Sequence, residues 1–314
     1  MVIAAKNTVP LSIRLINGLL GIKPIYAIAR HQARQMMVKR GEKLGIPWRK
    51  QIEEMEAVDW ESEIKKVENP NLSYPDYYLT SFHGYEEGNM GWKPALELEV
   101  AAMTVHSKLF NKAGELEGDS KLRDSYHNIL KPQITQPQDI LDMGCAAGLS
   151  TFALQEIYPK AKVTGLDLSP YFLAVANYRS QQRHGNPSGA RQANINWVHA
   201  PAESTGLADA SFDLVSIYLT CHELPQSATR QIFAEARRLL RPNGYLGIKC
   251  SNPHSEAYQK MPRYVLTLFK STEPYLDEYF SLDIKQALID AGFQTPTITP
   301  SSPRHRTVVA QVAK

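Results

Sequence analysis

Residues 140–151 restrict the fold more than any other part of the chain. They read Ile-Leu-Asp-Met-Gly-Cys-Ala-Ala-Gly-Leu-Ser-Thr, an apolar run that passes through small residues into a helix-like segment. Small residues let a ligand approach the backbone closely, and glycine also takes a positive φ without strain. The helix that follows begins with N–H groups that have no partner within the helix. The pattern therefore predicts a strand, a ligand-binding loop and a helix in succession.

The spacing of the small residues separates two classes of ligand. A dinucleotide-binding loop needs G-x-G-x-x-G, but counted from Gly144 the second glycine position holds Ala146 and the third holds Leu149. This mismatch speaks against a nicotinamide-dependent oxidoreductase, which we keep as an alternative. The segment instead resembles D-x-G-x-G-x-G, the first motif of the class I S-adenosylmethionine-dependent methyltransferases, with Ala146 in the middle glycine position. An ordinary strand–helix turn is the other interpretation.

Three later segments match the same family in the family's order. Residues 162–167 form a β-type run that ends in an acid, and residues 211–215 match S-F-D-x-V. Residues 240–244 resemble the turn L-x-P-G-G, with Asn243 in place of the first glycine, and asparagine tolerates the left-handed conformation. The resemblance covers about residues 134–314. It is closest to the methyltransferase type 11 group, which includes quinone-ring methylases.

The resemblance implies an α/β fold with a doubly wound, mostly parallel seven-stranded sheet and helices on both faces. We assign this Rossmann-like domain to residues 131–314, preceded by an N-terminal helical extension or cap over residues 1–130. Residues 252–280 are expected to be an irregular insert, which either lines the acceptor pocket or forms a helical surface layer with an aromatic core. Residues 293–299 and 306–312 fit the antiparallel strand pair that ends the family's sheet.

The resemblance also implies that the cofactor is S-adenosylmethionine. In a doubly wound sheet an acid after the second strand can hold both ribose hydroxyls, and Asp167 stands at that position. Many members have G-D-A-E after the third strand, where the acid contacts the adenine, but this chain has Pro201 there. The backbone of Ala202, or Glu203, is expected to make that contact. The predicted cofactor-binding residues are Asp142, Gly144, Cys145, Ala146, Gly148, Asp167, Leu168, Ala202, Glu203 and Leu219.

His222 is the candidate catalytic residue. It follows Leu219, the last residue of the predicted fourth strand, and ligands lie at the carboxyl ends of such strands. A histidine there can accept a proton from the acceptor, because its ordinary pKa is about 6.5. The other interpretation is a structural histidine bonded to the loop backbone. Glu223 is expected either to orient the imidazole or to cap the next helix.

Residues 81–92 are the second candidate segment. They place three glycines among aromatic and polar side chains directly before a predicted helix over residues 93–111. Glycines let such a loop bend over a ligand, and aromatic rings exclude water. A surface turn with a buried Trp92 is the other interpretation. The predicted substrate contacts are Tyr85, Asn89, Trp92 and Glu223.

The predicted function is methyl transfer to a small, apolar, aromatic or lipid-like acceptor, because residues 74–92 and 258–280 are rich in aromatic side chains. A cofactor-binding regulator without transfer activity is an alternative of another class. Arsenic methylation is an unusual further alternative, since Cys145, Cys221 and Cys250 all fall at or just past the carboxyl ends of predicted strands. We find no metal-ligand spacing in the sequence and expect no metal.

Composition limits the partners and the compartment. The net charge of +3 is too weak a bias to indicate nucleic acid, and three scattered cysteines favour a reduced compartment without a disulfide framework. Residues 9–40 alternate apolar and basic residues. This pattern predicts a basic amphipathic helix. We favour the interpretation that it packs on its own protein; the alternative is weak peripheral contact with a membrane. We expect a cytoplasmic protein, and the sequence leaves its oligomeric state open.

Overall fold

Seven strands form the centre of the protein. The computed structural model describes residues 23–184 and 195–313, and the strands within them form one sheet. They are β1 (Asp139–Met143), β2 (Lys162–Asp167), β3 (Asn196–His199), β4 (Phe212–Tyr218), β5 (Leu240–Ser251), β6 (Thr297–Pro300) and β7 (His305–Gln311). The order across the sheet is β3-β2-β1-β4-β5-β7-β6. Strand β7 is antiparallel to β5 and β6, and the other neighbouring pairs are parallel.

Helices connect these strands and precede them. Within the described residues they are α1 (Lys23–Lys43), α2 (Trp48–Glu56), α3 (Trp60–Ile64), α4 (Trp92–His106), α5 (Gly118–Leu130), α6 (Leu149–Ile157), α7 (Pro170–His184), α8 (Gln226–Leu239), α9 (Glu256–Gln259), α10 (Arg263–Thr272), α11 (Leu276–Ser281) and α12 (Ile284–Asp290). Two 3₁₀ turns cover Asp76–Tyr78 and Cys221–Glu223. None of the described helices is long and apolar enough to cross a membrane.

Both faces of the sheet are covered by helices, as predicted. Successive side chains of a strand point to opposite faces, and β1 shows the consequence. Ile140 packs with Tyr126 of α5 and Leu154 of α6. The next residue, Leu141, belongs to the cluster that contains Phe233 of α8. The doubly wound architecture and the final antiparallel strand pair are therefore confirmed.

Two local predictions need correction. The sequence of residues 47–68, opened by Pro47 and followed by Asn69-Pro70, predicts a single helix. That helix is broken in the structure, because Asp59 accepts a hydrogen bond from the Ser62 N–H and begins a new helix. The indole N–H of Trp60 donates to the Met55 carbonyl at 2.6 Å, which closes the preceding helix. The insert at residues 252–280 is not irregular, because it contains α9, α10 and most of α11.

The N-terminal extension packs on the rest of the protein where the structure describes it. Val38 of α1 is buried, and Arg34 forms an ion pair with Glu97 of α4. Residues 9–22, which belong to the segment predicted as basic and amphipathic, lie outside the described residues. Helix α5 covers a face of the sheet although we assigned it to the extension, and the division at residue 131 stays a prediction.

Candidate functional site

The loop after β1 has the backbone that the sequence pattern requires. Gly144, Ala146 and Gly148 take φ values of +75°, +45° and +83°. Alanine is strained at positive φ. A hydrogen bond from the Ala146 N–H to Asp167 Oδ2 at 2.8 Å stabilises this backbone conformation. The Gly144 N–H donates to the Leu166 carbonyl at 2.8 Å. The end of β2 thus holds the loop in its turned conformation.

Asp142 anchors the start of α6. Its Oδ2 accepts hydrogen bonds from Ser150 Oγ at 2.6 Å and from Thr151 Oγ1 at 2.7 Å. Its Oδ1 is buried and has no hydrogen-bond partner among the described residues. Burial raises the pKa of Asp142 to about 6, against the opposing effect of these hydroxyl donors. One oxygen therefore fixes the loop–helix junction, and the Ser216 hydroxyl on β4 also acts on this carboxyl.

Asp167 lies at the end of β2 beside this loop. Its Oδ1 accepts from the Ser169 N–H at 2.8 Å and from the Tyr78 hydroxyl at 3.3 Å. Burial raises the pKa of the Asp167 carboxyl, and backbone donors at Ser169 and Ala146 oppose the rise. The predicted ribose-binding acid is thus at the strand end, with a tyrosine hydroxyl in contact with it.

Three tyrosines close to the 3₁₀ turn at Asp76–Tyr78 cover the ends of β2 and β3. Tyr78 contacts Asp167, and Tyr77 donates to Glu203. Tyr74 Oη lies 3.3 Å from Nε2 of His199, the last residue of β3. None of these three tyrosines was among the predicted site residues. A signal for them was available, since Tyr-Pro-Asp-Tyr-Tyr at residues 74–78 puts three phenols in five residues.

The remaining predicted cofactor residues lie at the ends of β2, β3 and β4. Leu168 accepts a hydrogen bond at its carbonyl from the His199 ring at 3.0 Å. Ala202 and Glu203 follow β3. Leu219 follows β4 and takes a φ of +59°, which is unusual for a large side chain and is typical of functional sites.

His222 meets residues from two distant segments. It lies in the 3₁₀ turn at Cys221–Glu223 that follows β4. Donor atoms of His83, His222 and Glu273 all lie within 4.8 Å of one another, and His83 Nε2 is 3.8 Å from Glu273 Oε1. Neither His83 nor Glu273 was a predicted site residue. No sequence spacing indicated them, because they are separated by about 140 and 50 residues from His222.

Burial sets the protonation of this cluster. It lowers the pKa of His222 to about 4, with a further contribution from His106. The pKa of the partly exposed His83 is shifted downward as well, by desolvation and by His222. Burial raises the pKa of Glu273 to about 7, although Arg304 opposes the rise. Both imidazoles are therefore neutral near pH 7. Nδ1 of His222 is buried without a hydrogen-bond partner among the described residues.

Asn89 ties the glycine-rich loop to the strand ends. Its carbonyl accepts from Ser169 Oγ at 2.6 Å, and its amide donates to Glu223 Oε2 at 3.3 Å. Burial raises the pKa of Glu223 to about 8, with a further contribution from Glu273. Pro225 occupies the N-cap position of α8. Glu223 is therefore bonded to the loop through Asn89 and is not the cap of that helix. The loop is thus held between the ends of β2 and β4.

Two other predicted substrate residues make contacts away from His222. The Tyr85 hydroxyl donates to Glu97 Oε2 at 2.7 Å, beside Arg34. The Trp92 ring lies 5.4 Å from that of Trp60 and 4.9 Å from that of Tyr171. These contacts join the loop to the helical extension. The substrate roles of Tyr85 and Trp92 stay predictions.

The three cysteines are buried in the hydrophobic interior. Cys145, Cys221 and Cys250 are 3%, 1% and 0% exposed. Burial raises the pKa of the Cys145 and Cys221 thiols. Because the thiolate is the reactive form, this placement disfavours arsenic methylation.

Comparison with known proteins identifies a methyltransferase domain in the part of the chain that runs from β1 to β5. Residues 141–248 match the family model described as a methyltransferase domain. A malonyl-(acyl-carrier protein) O-methyltransferase from Hahella chejuensis is 39% identical over 110 residues, which are 35% of this chain and 35% of that protein. The ubiquinone/menaquinone biosynthesis C-methyltransferase UbiE from Methylobacterium nodulans is 34% identical over 116 residues, 37% of this chain and 42% of that protein.

The solved structure of the CurJ carbon methyltransferase superimposes with a TM-score of 0.52 at 16% identity, over 71% of this chain and 60% of that one. This likeness supports the fold. The two relatives are matched over 35% and 42% of their own lengths, so the chain spans less than half of each.

Proposed function

Because the chain belongs to the type 11 group of the class I S-adenosylmethionine-dependent methyltransferases, we propose that it transfers the methyl group of S-adenosylmethionine to a small acceptor. The loop at Gly144–Gly148, held against Asp167 through the Ala146 N–H, is the observation that carries this proposal. The bound cofactor supplies a methyl group on a sulfonium, which a nucleophile can attack in line. The work left to the protein is alignment of that nucleophile and exclusion of water.

The residues present fit this cofactor. A Cβ on Gly144 would lie 2.6 Å from Thr220 Oγ1, so glycine is needed for the close approach of loop and β4. The unpartnered Oδ1 of Asp142 and the first N–H groups of α6 offer polar contacts to the methionine part. Asp167 would hold the ribose, and the Tyr78 hydroxyl that now contacts it would have to yield. Adenine would lie near Leu168, Ala202 and Glu203.

We assign proton removal from the acceptor to His222. Its imidazole is neutral, and Nδ1 has no hydrogen-bond partner among the described residues, so a lone pair or a donor is free to meet a ligand. An imidazole nitrogen would take the acceptor's proton, which would free the acceptor's electron pair to bond to the methyl carbon as the carbon–sulfur bond of the cofactor breaks. An O–H group or an acidic C–H group would suit this step.

The finer part of the proposal is an apolar acceptor with an aromatic or lipid-like body. Aromatic rings flank the histidines, since the Tyr279 ring lies 6.3 Å from that of His222 and the Phe82 ring lies 3.9 Å from that of His83. One relative is named for malonyl-(acyl-carrier protein) and another for ubiquinone and menaquinone biosynthesis. A malonyl thioester and a demethylated quinol are therefore the first acceptors to test, with transfer of a radiolabelled methyl group as the readout.

Replacement of Asp167 with alanine is expected to weaken cofactor binding by about 1.5–3 kcal/mol, the range for hydrogen bonds to a charged group. Calorimetric titration with S-adenosylhomocysteine measures this change. Asp124→Ala, which removes an exposed acid from α5, is the matched control. An Asp167→Ala protein that melts normally and binds with unchanged affinity would contradict the ribose assignment. A wild-type protein that binds the ligand but transfers no methyl group to any acceptor would favour the regulator alternative.

The loop at residues 81–92 is expected to close further over a bound ligand. Asn89 already contacts both Ser169 and Glu223, and Gly84 and Gly88 have positive φ values that permit the loop to bend. Amide hydrogen exchange in this loop should slow when S-adenosylhomocysteine is added. Residues 112–117, a turn that lies before α5, serve as the internal control. Equal protection of the loop with and without ligand would exclude a role as a lid.

A further inference from the structure

Two histidines and one carboxylate converge where the glycine-rich loop, the end of β4 and the end of α10 meet. They are His83, His222 and Glu273, and they come from segments far apart in the chain. Imidazole nitrogen and carboxylate oxygen are ligands that zinc prefers. We infer that these three side chains bind one divalent transition-metal ion of the zinc class. The inference rests on their geometry and not on methyl transfer.

The distances suit a site that closes on the ion. Ligand bonds of about 2.0–2.1 Å in a tetrahedral zinc site place neighbouring donor atoms about 3.3 Å apart. His83 Nε2 and Glu273 Oε1 are 3.8 Å apart, and all donor atoms of the three residues lie within 4.8 Å of one another. Each pair would therefore approach by at most about 1.5 Å, which rotation of the side chains can supply. A fourth position stays open for water or a ligand.

The surroundings favour a cation at this point. A second carboxyl group lies beside the cluster, because Glu223 follows His222 in the chain and interacts electrostatically with Glu273. Arg304, whose positive charge acts on Glu273, would repel an incoming metal ion. Nδ1 of His222 has no hydrogen-bond partner among the described residues, so the protein around it does not already use this nitrogen.

The backbone holds the ligands and leaves a path for the ion. The His83 N–H donates to the Thr272 carbonyl at 2.9 Å, which fixes the loop beside Glu273. The His83 side chain is 43% exposed, so an ion can reach the cluster from solvent. A metal on His222 would occupy a nitrogen that the proposed proton transfer needs. Metal binding and base function are therefore expected to exclude each other.

Metal binding can be measured without any acceptor. Tag-free protein, stripped with a chelator and dialysed, is titrated with ZnCl2 by calorimetry and with CoCl2 by visible spectroscopy. We expect one ion per chain and the absorption bands of tetrahedral cobalt. His83→Asn and Glu273→Gln should each weaken binding by roughly 100-fold or more, since even the loss of an outer-shell partner costs about 10–100-fold. Asparagine is chosen because His83 has a φ of +49°.

Controls separate this inference from the proposed function. His254→Asn removes an exposed histidine elsewhere and should leave zinc affinity unchanged. Binding of S-adenosylhomocysteine and the melting temperature, measured on the same samples, show whether each variant is folded. The metal site is refuted if the wild type binds no zinc, or if His83→Asn and Glu273→Gln bind it as tightly as the wild type does. Zinc binding at these residues in a protein that transfers no methyl group would refute only the proposed function.

Discussion

Replacement of His222 with alanine is expected to lower kcat by at least about 100-fold, because a positioned base contributes about 10²–10⁴-fold. Affinity for S-adenosylhomocysteine should stay unchanged, since the predicted cofactor contacts lie at Asp142, Asp167 and the loop between Gly144 and Gly148. The measurement is methyl transfer to whichever acceptor supports turnover, with a chelator present so that no metal occupies the imidazole.

The expected loss follows from where the imidazole is held. The 3₁₀ turn after β4 places His222 at the carboxyl ends of the parallel strands, where the loop after β1 also begins. Leu219 enters this turn with a positive φ, and the Leu219 N–H donates to the Lys249 carbonyl at 2.8 Å. The strained residue is therefore fixed to β5. Such a fixed backbone keeps the imidazole in one place, which general-base catalysis requires.

Two further variants make the test specific. His222→Gln keeps a polar side chain of similar size but cannot take up the proton, so its kcat should fall as far as that of the alanine variant. His254→Ala removes an exposed histidine and should behave as the wild type. Near-normal turnover of both His222 variants would leave this histidine a packing residue beside Tyr279. An acceptor that is already a good nucleophile would then be the simplest explanation.

The positions of the residues proposed to hold the cofactor could be predicted, because these residues are close together in sequence. The loop at residues 144–148 and the acid at 167 belong to one strand–loop–helix–strand unit, and the spacing within such a unit is fixed by the lengths of its elements. The same holds for the turn at Asn243, whose φ of +63° agrees with the left-handed conformation expected of it. Motif spacing thus carries three-dimensional information where the chain is locally continuous.

The contacts that His83, Glu273 and the tyrosines make at the site could not be predicted in this way. His83 and Glu273 reach His222 from a loop before the sheet and from an insert after β5, and no periodic pattern relates these segments. The tyrosines at 74, 77 and 78 meet β2 and β3 through side-chain contacts that depend on how the extension packs. The break in the helix before Asp59 depends on a local cap and an indole hydrogen bond, which competed with the helical pattern and prevailed.

Replacement of Asp142 with asparagine is expected to change how stability depends on pH. The pKa of Asp142 is about 6 in the folded protein and about 3.9 in an unfolded chain. Because the folded state holds the proton more tightly, this group's contribution to the free energy of unfolding is greatest below pH 4. That contribution falls as the pH rises through 6. A difference of two pKa units corresponds to roughly 3 kcal/mol.

Asparagine does not titrate, so the Asp142→Asn variant does not lose stability in this way as the pH rises. Its free energy of unfolding relative to the wild type should therefore rise by roughly 3 kcal/mol between about pH 4 and pH 7. Urea unfolding at a series of pH values measures the difference, and any fixed cost of the buried amide cancels from the slope. Asp167 and the Cys145 and Tyr126 side chains face the same carboxyl and are kept in both proteins. Asp124→Asn is the exposed control. An identical pH slope in wild type and Asp142→Asn would show that burial does not hold the proton on Asp142, and its unpartnered oxygen would then need a cation or donor in the folded protein.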